Sequence, residues 1–431
     1  MEMRRRGFII VHLALLGIIG IYTFYFTYIP YQDFPQWIYH GHVFNQMVFH
    51  HNNFGGFFWF HPYLPPNASA TVLIGMFEIF ASPILAGKLF LFFSCALVYW
   101  GSFSVLATIT KSKHVMFALI GFSGCFSLYF YMGLMNFVFG LGIALLGSSY
   151  VLGKKDRANA WVMSGLFLLC YCSHFASLLV FLVPVLAVFL QNKSMAFARR
   201  IILAFLPCLV LGLHYYLTKE ILTFSSSGIL KASYFETVWG MIKFYPAIVM
   251  PFHRVKHVFE PSFAADIVNY SFAILLHIAP LVFVVRIIIR REKSIVATAG
   301  ILTLILVIVS PEYLGGLFNL GERFVFLMWI LLTAYFFGMF SKPSLRMLLT
   351  VFLFFHSIFT FGSIWYATDK FNKMDITANI NVFSEYDFQG GSNPFTHFHF
   401  YDDIMQNRGV PVFHHALLDY RGAENSKPFD E

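Results

Sequence analysis

Long apolar runs alternate with short polar ones along most of this chain. Many of the runs reach roughly 17–25 residues, enough for a helix to cross a hydrocarbon core about 30 Å thick. Irregular backbone cannot face lipid, so the runs are read as helices. The pattern predicts about eleven transmembrane helices, near 7–29, 85–109, 114–131, 136–153, 159–174, 176–192, 201–217, 267–288, 294–310, 325–341 and 346–366. The shorter apolar stretch from Thr71 to Ser82 is expected as an interfacial helix on the outer surface, because counting it as a span would invert every later loop.

Orientation follows from the short polar runs. Arg4, Arg5 and Arg6 precede the first span, and basic clusters recur at Lys111 and Lys113, at Lys154, Lys155 and Arg157, at Lys193, Arg199 and Arg200, at Arg290, Arg291 and Lys293, and at Lys342 and Arg346. Retained loops carry the Lys/Arg excess, which places all of these in the cytoplasm with the N-terminus and sends the C-terminus outside a bacterial-type inner (plasma) membrane. The first apolar run is too long for a signal peptide and no small-residue cleavage site follows it, so it is expected to remain as a span. The expected organisation is an all-α polytopic transmembrane domain over 1–366, with outer loops at 30–84, 218–266 and 311–324. An extracytoplasmic tail over 367–431 is expected to form a small folded cap.

Composition agrees: 58% of residues are hydrophobic and only 12% charged, which excludes an ordinary soluble domain. The net charge of +8 resides largely in the inner loops rather than in a patch for an anionic partner. All five cysteines fall inside apolar segments with no bridging or metal-type spacing, and Cys170 and Cys172 would point to different helix faces. There is no phosphate-binding glycine loop, no defensible Ser/His/Asp order and no basic aromatic stretch suited to nucleic acid.

Long outer loops are where binding or catalysis is expected. The first opens on Tyr31-Gln32-Asp33-Phe34-Pro35-Gln36-Trp37-Ile38-Tyr39-His40, which places Asp33 just past span one. Pro35 suits a first helical turn, and Trp37, Ile38, Phe44, Val48 and Phe49 form an apolar stripe for a helix in the membrane interface. Asp33 would then sit near that helix's N-terminus, either as an ordinary capping carboxylate or as a reactive group. An acidic residue directly after the first span, followed by interfacial helices, resembles the GT-C superfamily of membrane glycosyltransferases. The Asp33-Phe34-Pro35 opening with His40 downstream is similar to the D-x-P-x-x-H pattern of bacterial members, with the histidine two places later. The resemblance implies that Asp33 acts as the base, or a metal ligand, when an acceptor attacks a sugar held on a polyprenyl phosphate or pyrophosphate.

Three further features bear on that expectation. The segment Gly133-Leu134-Met135-Asn136-Phe137-Val138-Phe139-Gly140 is similar to a G-x-x-N-F-x-x-G turn of related membrane proteins. There Gly133 permits the turn, Asn136 either caps the next helix or reaches a substrate, and Gly140 lets helices approach. Arg323 precedes a span on the outer side, which the positive-inside rule disfavours. It either pairs with Glu322 or Glu312, snorkels, or grips the phosphate of a lipid-linked donor, the role the resemblance implies. Arg254 and Lys256, with Lys243, His253 and His257, form a basic cluster in the second outer loop that suits either phosphate or plain solvent.

Outer histidines are numerous: His40, His42, His50, His51 and His61 in the first loop, and His397, His399, His414 and His415 in the tail. They leave a divalent metal as an alternative to simple packing; no cofactor is required by the sequence. Asn67-Ala68-Ser69 matches a glycosylation acceptor triplet. The leading expectation is therefore a glycosyltransferase with a polyprenyl-linked sugar donor, a membrane lipid environment and a lipid, glycan or protein acceptor. Asp33 is the expected catalytic residue, and Arg323, Asn136, His40, Arg254 and Lys256 are expected to bind substrate. A transporter or flippase for an amphipathic lipid, and a structural subunit docking through its tail, are the alternatives.

Overall fold

The computed structural model describes residues 2–27, 29, 34–51, 58–60, 64–131, 133–218, 278–310, 313–314, 317–318, 320–340, 342–373 and 418–420. The chain is a multi-pass membrane protein, and its described residues are almost wholly helical. In chain order its helices are α1 (Glu2–Tyr25), α2 (Phe34–Phe49), α3 (Ser69–Phe77), α4 (Pro83–Thr110), α5 (Val115–Gly124), α6 (Leu128–Tyr131), α7 (Met135–Lys154), α8 (Ala160–Ser173), α9 (Phe175–Asn192) and α10 (Met195–Thr218). They continue with α11 (278–290), α12 (Ile295–Val309), α13 (Glu322–Met339) and α14 (Pro343–Lys373).

Among the described residues, seven helices are long and apolar enough to cross a membrane: α1, α4, α7, α9, α10, α13 and α14. The expected number was about eleven. The difference lies in α5, α8 and α12, which occupy three of the expected spans but hold only 10, 14 and 15 residues. At 1.5 Å rise per residue none of these covers a 30 Å core unaided. The expected span 114–131 is interrupted after Gly124, where Cys125, Phe126 and Ser127 tighten onto carbonyls three residues back before α6 begins. The expected span 267–288 begins outside the described residues. The stretch expected at the interface is α3, nine residues long and too short to cross.

Local sequence explains where helices start. Ser82 precedes Pro83 at the first turn of α4 and its hydroxyl accepts from the Leu85 amide; Asn159 does the same for Trp161 at α8, and Ser294 for Ala297 at α12. Gly133 turns the chain into α7 with φ 70°. Packing then sorts the helices into centre and rim. In α7 and α13, 78% of the most apolar window is buried, against 17% in α10 and 22% in α1, so the rim helices present most of their apolar surface outward, as lipid contact requires.

Glycine sets how closely the central helices approach. A methyl at Gly101 of α4 would stand 2.9 Å from the Gly142 carbonyl of α7, and one at Gly140 would stand 2.4 Å from the Ser177 hydroxyl of α9. Gly140 therefore permits the close contact expected of it.

The bundle has two unlike ends. At one, the turns between α4 and α5, α7 and α8, α9 and α10, α11 and α12, and α13 and α14 gather the basic clusters. Arg200 there donates to the Asp156 carbonyl at 2.7 Å, and the Arg346 guanidinium lies 4.4 Å from the Phe337 ring centroid. At the other end stand α2, α3, the hairpin β2 (Tyr313–Leu314) and β3 (Leu317–Phe318), and a second ribbon. That ribbon pairs β1 (Phe58–Phe60) with β4 (Leu418–Tyr420), antiparallel with Trp59 opposite Asp419, and ties the tail to the first loop. Nothing local in the sequence announced that pairing.

Candidate functional site

At the end without the basic clusters, the N-termini of α3, α7, α9 and α13 converge. Phe137, in the first turn of α7, is where α6 and the starts of α9 and α13 meet it. Its ring takes the Tyr129 ring edge-on at 5.0 Å and the His174 ring at 5.5 Å, and the Arg323 guanidinium sits 4.8 Å from its centroid. Arg323 and Glu322 open α13 and both are buried. The Glu322 backbone carbonyl accepts a hydrogen bond from the Tyr129 hydroxyl, which fixes the start of α13 against α6. An arginine over an aromatic face retains part of the stabilisation that leaving water costs it.

His174 bridges the end of α8 and the start of α9. Its Nδ1 accepts from the Ala176 amide at 3.0 Å, which leaves Nε2 to carry the proton of the neutral ring. Arg323 is its charged neighbour, so the two side chains share one buried electrostatic environment.

Asn136 differs from the expectation that it caps the helix in which it stands. Its side-chain oxygen accepts from the Ser69 hydroxyl at 2.8 Å and from the Ala70 amide at 2.7 Å, capping α3 from across the bundle. The position preceding α7 is held by Leu134, which offers no side-chain cap. The Ala68 amide donates to the Cys172 carbonyl at 2.9 Å, so α3 is moored to both α7 and α8. The Asn136 Nδ2 group is buried with no hydrogen-bond partner among the described residues, an uncommon and costly condition for a donor.

Much of α2, the helix expected at the interface, is enclosed by protein, while Val48 and Phe49 near its end are exposed. In α2, Gln36, His40 and Asn45 are as deeply buried as Ile38 and Val43. Close packing causes this: a methyl at Gly41 would meet Ile74 of α3 at 2.4 Å, one at Gly75 would meet the Gly41 carbonyl at 2.7 Å, and one at Gly87 of α4 would meet Ile38 at 2.5 Å. Asn45 donates to the Gly75 carbonyl at 2.9 Å, and His42 pairs with Glu78. Neither ring nitrogen of His40 has a hydrogen-bond partner among the described residues, and burial pushes its pKa down to about 3, so the ring is neutral at physiological pH.

The structure thus places Asn136, Arg323 and His40 at the same end of the bundle, with Arg323 against Phe137 and the Asn136 side chain turned to α3. Asp33 lies outside the described residues, immediately before the first residue of α2, as do Arg254 and Lys256 in the second loop. The tail histidines are also outside them. Among the described residues no three His, Cys, Asp or Glu side chains converge as a metal site would require.

Lys88 is a functional candidate that the sequence reading passed over. Buried five residues into α4, it donates to the Phe26 carbonyl just beyond the end of α1, where a helix C-terminus favours a cation. A single lysine inside an otherwise apolar 28-residue helix was the visible signal. Tyr129 carried no such signal. No family model matches the chain, and no curated protein or solved structure does either.

Proposed function

We propose that the chain is a GT-C-like membrane glycosyltransferase that moves a sugar from a polyprenyl-phosphate-type donor to a lipid, glycan or protein acceptor. The reaction is assigned to the extracytoplasmic face of a bacterial-type plasma membrane, with the basic loops in the cytoplasm. One observation carries the reading: Arg323 is buried at a helix N-terminus at the end of the bundle remote from the basic loops, over the Phe137 ring and beside His174. A guanidinium in that position suits a phosphate oxyanion, and the converging helix N-termini add positive potential.

In this reading Asp33 takes the proton of the acceptor hydroxyl as its oxygen bonds to the sugar. The bond from the sugar to the donor phosphate breaks, and Arg323 stabilises the charge left on that phosphate. Stabilisation of developing charge by one fixed donor is worth a hundredfold or more in rate. The test is the purified chain in lipid nanodiscs, given a panel of polyprenyl-phosphate sugars and a membrane lipid extract. Transfer should fall on the order of a hundredfold or more in Arg323→Ala and in Asp33→Asn. Wild-type turnover in both variants would remove these residues from the mechanism.

A transporter or flippase is the second reading, favoured by the buried cation of Lys88 within α4, since ionisable groups inside spans commonly mark transport paths. Movement of an intact lipid-linked substrate across liposomes, with no sugar transferred, would favour it over the enzyme.

A further inference from the structure

An open cleft of about 420 Å³ lies on the flank of the bundle near its basic end, far from the cluster around Phe137. Two ridges of α11 line it, each built from residues four apart on one helix face. One ridge is apolar throughout: Leu281, Val285 and Ile289. The other begins with Val282 and continues with Arg286 and Arg290, and Met339 at the end of α13 closes the opposite wall. Leu281 and Ile289 are 64% and 75% exposed, so the apolar ridge faces outward where the rim helices meet lipid.

The two arginines stand one turn apart, about 6 Å along the axis, with Arg290 at the end of α11. Arg286 is held rather than loose: it lies on the Tyr335 hydroxyl, which donates to Glu292 at 2.8 Å, and Glu292 also accepts from Ser294. Its Nε is nevertheless buried without a hydrogen-bond partner among the described residues. Arg291 and Lys293 follow in the same turn, so Glu292 is outnumbered by cations.

The geometry points to a binding site for one anionic glycerophospholipid. Its phosphate is held by Arg286 and Arg290 at the basic end, and one acyl chain lies along Leu281, Val285 and Ile289. A small soluble anion would gain nothing from the apolar ridge, and a zwitterionic lipid would bring its own ammonium toward the arginines. Basic pockets between helices on the cytoplasmic side select anionic head groups on this ground.

Native mass spectrometry of the full chain, released from mixed micelles containing equal dioleoyl phosphatidylglycerol and dioleoyl phosphatidylcholine, tests the assignment. The wild type should retain phosphatidylglycerol preferentially. The Arg286→Gln/Arg290→Gln variant should lose roughly thirty-fold in that preference, and Arg157→Gln, an exposed basic residue of another turn, should keep it. Equal retention of the two lipids by the wild type, or an unchanged preference in the double variant, overturns the proposal. Should the double variant fail to fold, the wild type crosslinked with a photoreactive phosphatidylglycerol decides: label in the peptides holding 281–290 and Met339 supports the site, and label confined elsewhere refutes it.

Discussion

Replacing Asn136 separates what the fold needs from what a ligand would need, because its two side-chain ends have different duties. The oxygen accepts from the Ser69 hydroxyl and the buried Ala70 amide; the nitrogen has no partner among the described residues. Asn136→Ala strands the Ala70 amide and removes the cap of α3. A lost cap costs about 0.5–2 kcal/mol and an unmet buried donor about 1–3 kcal/mol, and because the two overlap the expected loss is about 2–4 kcal/mol. Asn136→Asp keeps the acceptor, puts a carboxylate at the N-terminus of α3 and deletes only the unmatched donor, so stability should stay within about 1 kcal/mol of wild type. The five free cysteines, four buried and one half-buried, make a thiol-reactive fluorophore a direct unfolding reporter in detergent. If Asn136→Ala melts with the wild type, the trans cap contributes nothing and the account of α3 fails. If Asn136→Asp keeps its stability and also its full sugar-transfer rate, the Nδ2 group has no part in binding substrate.

Three other perturbations test neighbouring points. Gly75→Ala places a methyl 2.7 Å from the Gly41 carbonyl, which is backbone and cannot swing aside, so about 1–3 kcal/mol should be lost; Gly165→Ala, with open space around it, is the control, and equal melting of the two would refute the close contact of α2 with α3. His40 is held neutral with a pKa near 3, while the unfolded chain's imidazole protonates near 6.5. Its contribution is therefore complete above pH 6.5 and lost as pH falls from there toward 3, so at pH 5 the wild type should have lost about 2 kcal/mol that His40→Leu does not lose; parallel acid titrations of the two proteins would contradict this. Arg323→Lys keeps the charge but not the planar fork over Phe137, and transfer should stay well below wild type; full activity would show that a point charge suffices.

The membrane architecture was legible because apolar runs and turn residues are local signals. The expected span 85–109 is α4 at Pro83–Thr110, and 136–153 is α7 at Met135–Lys154, each bounded by the caps or glycines visible in sequence. The break inside 114–131 escaped because hydropathy averaged over a window passes across Gly124 to Ser127 without a dip. The environment of α2 escaped for another reason: amphipathic spacing says which residues share a face, not that Gly41, Gly75 and Gly87 let neighbours close over Gln36, His40 and Asn45. In the candidate site, Arg323 and Asn136 stood out by residue type and position, yet the partner of Asn136 lies 66 positions away and had no local trace.

The ribbon between first loop and tail has a consequence for biogenesis. Trp59 and Asp419 pair across about 360 positions, and at about 5–20 residues per second the ribosome needs roughly 20–70 s to deliver the second strand after the first. Throughout that interval β1 waits with its hydrogen-bonding edge vacant, open to other extended chains. The ribbon therefore closes only once the tail has been synthesised and has joined the first loop.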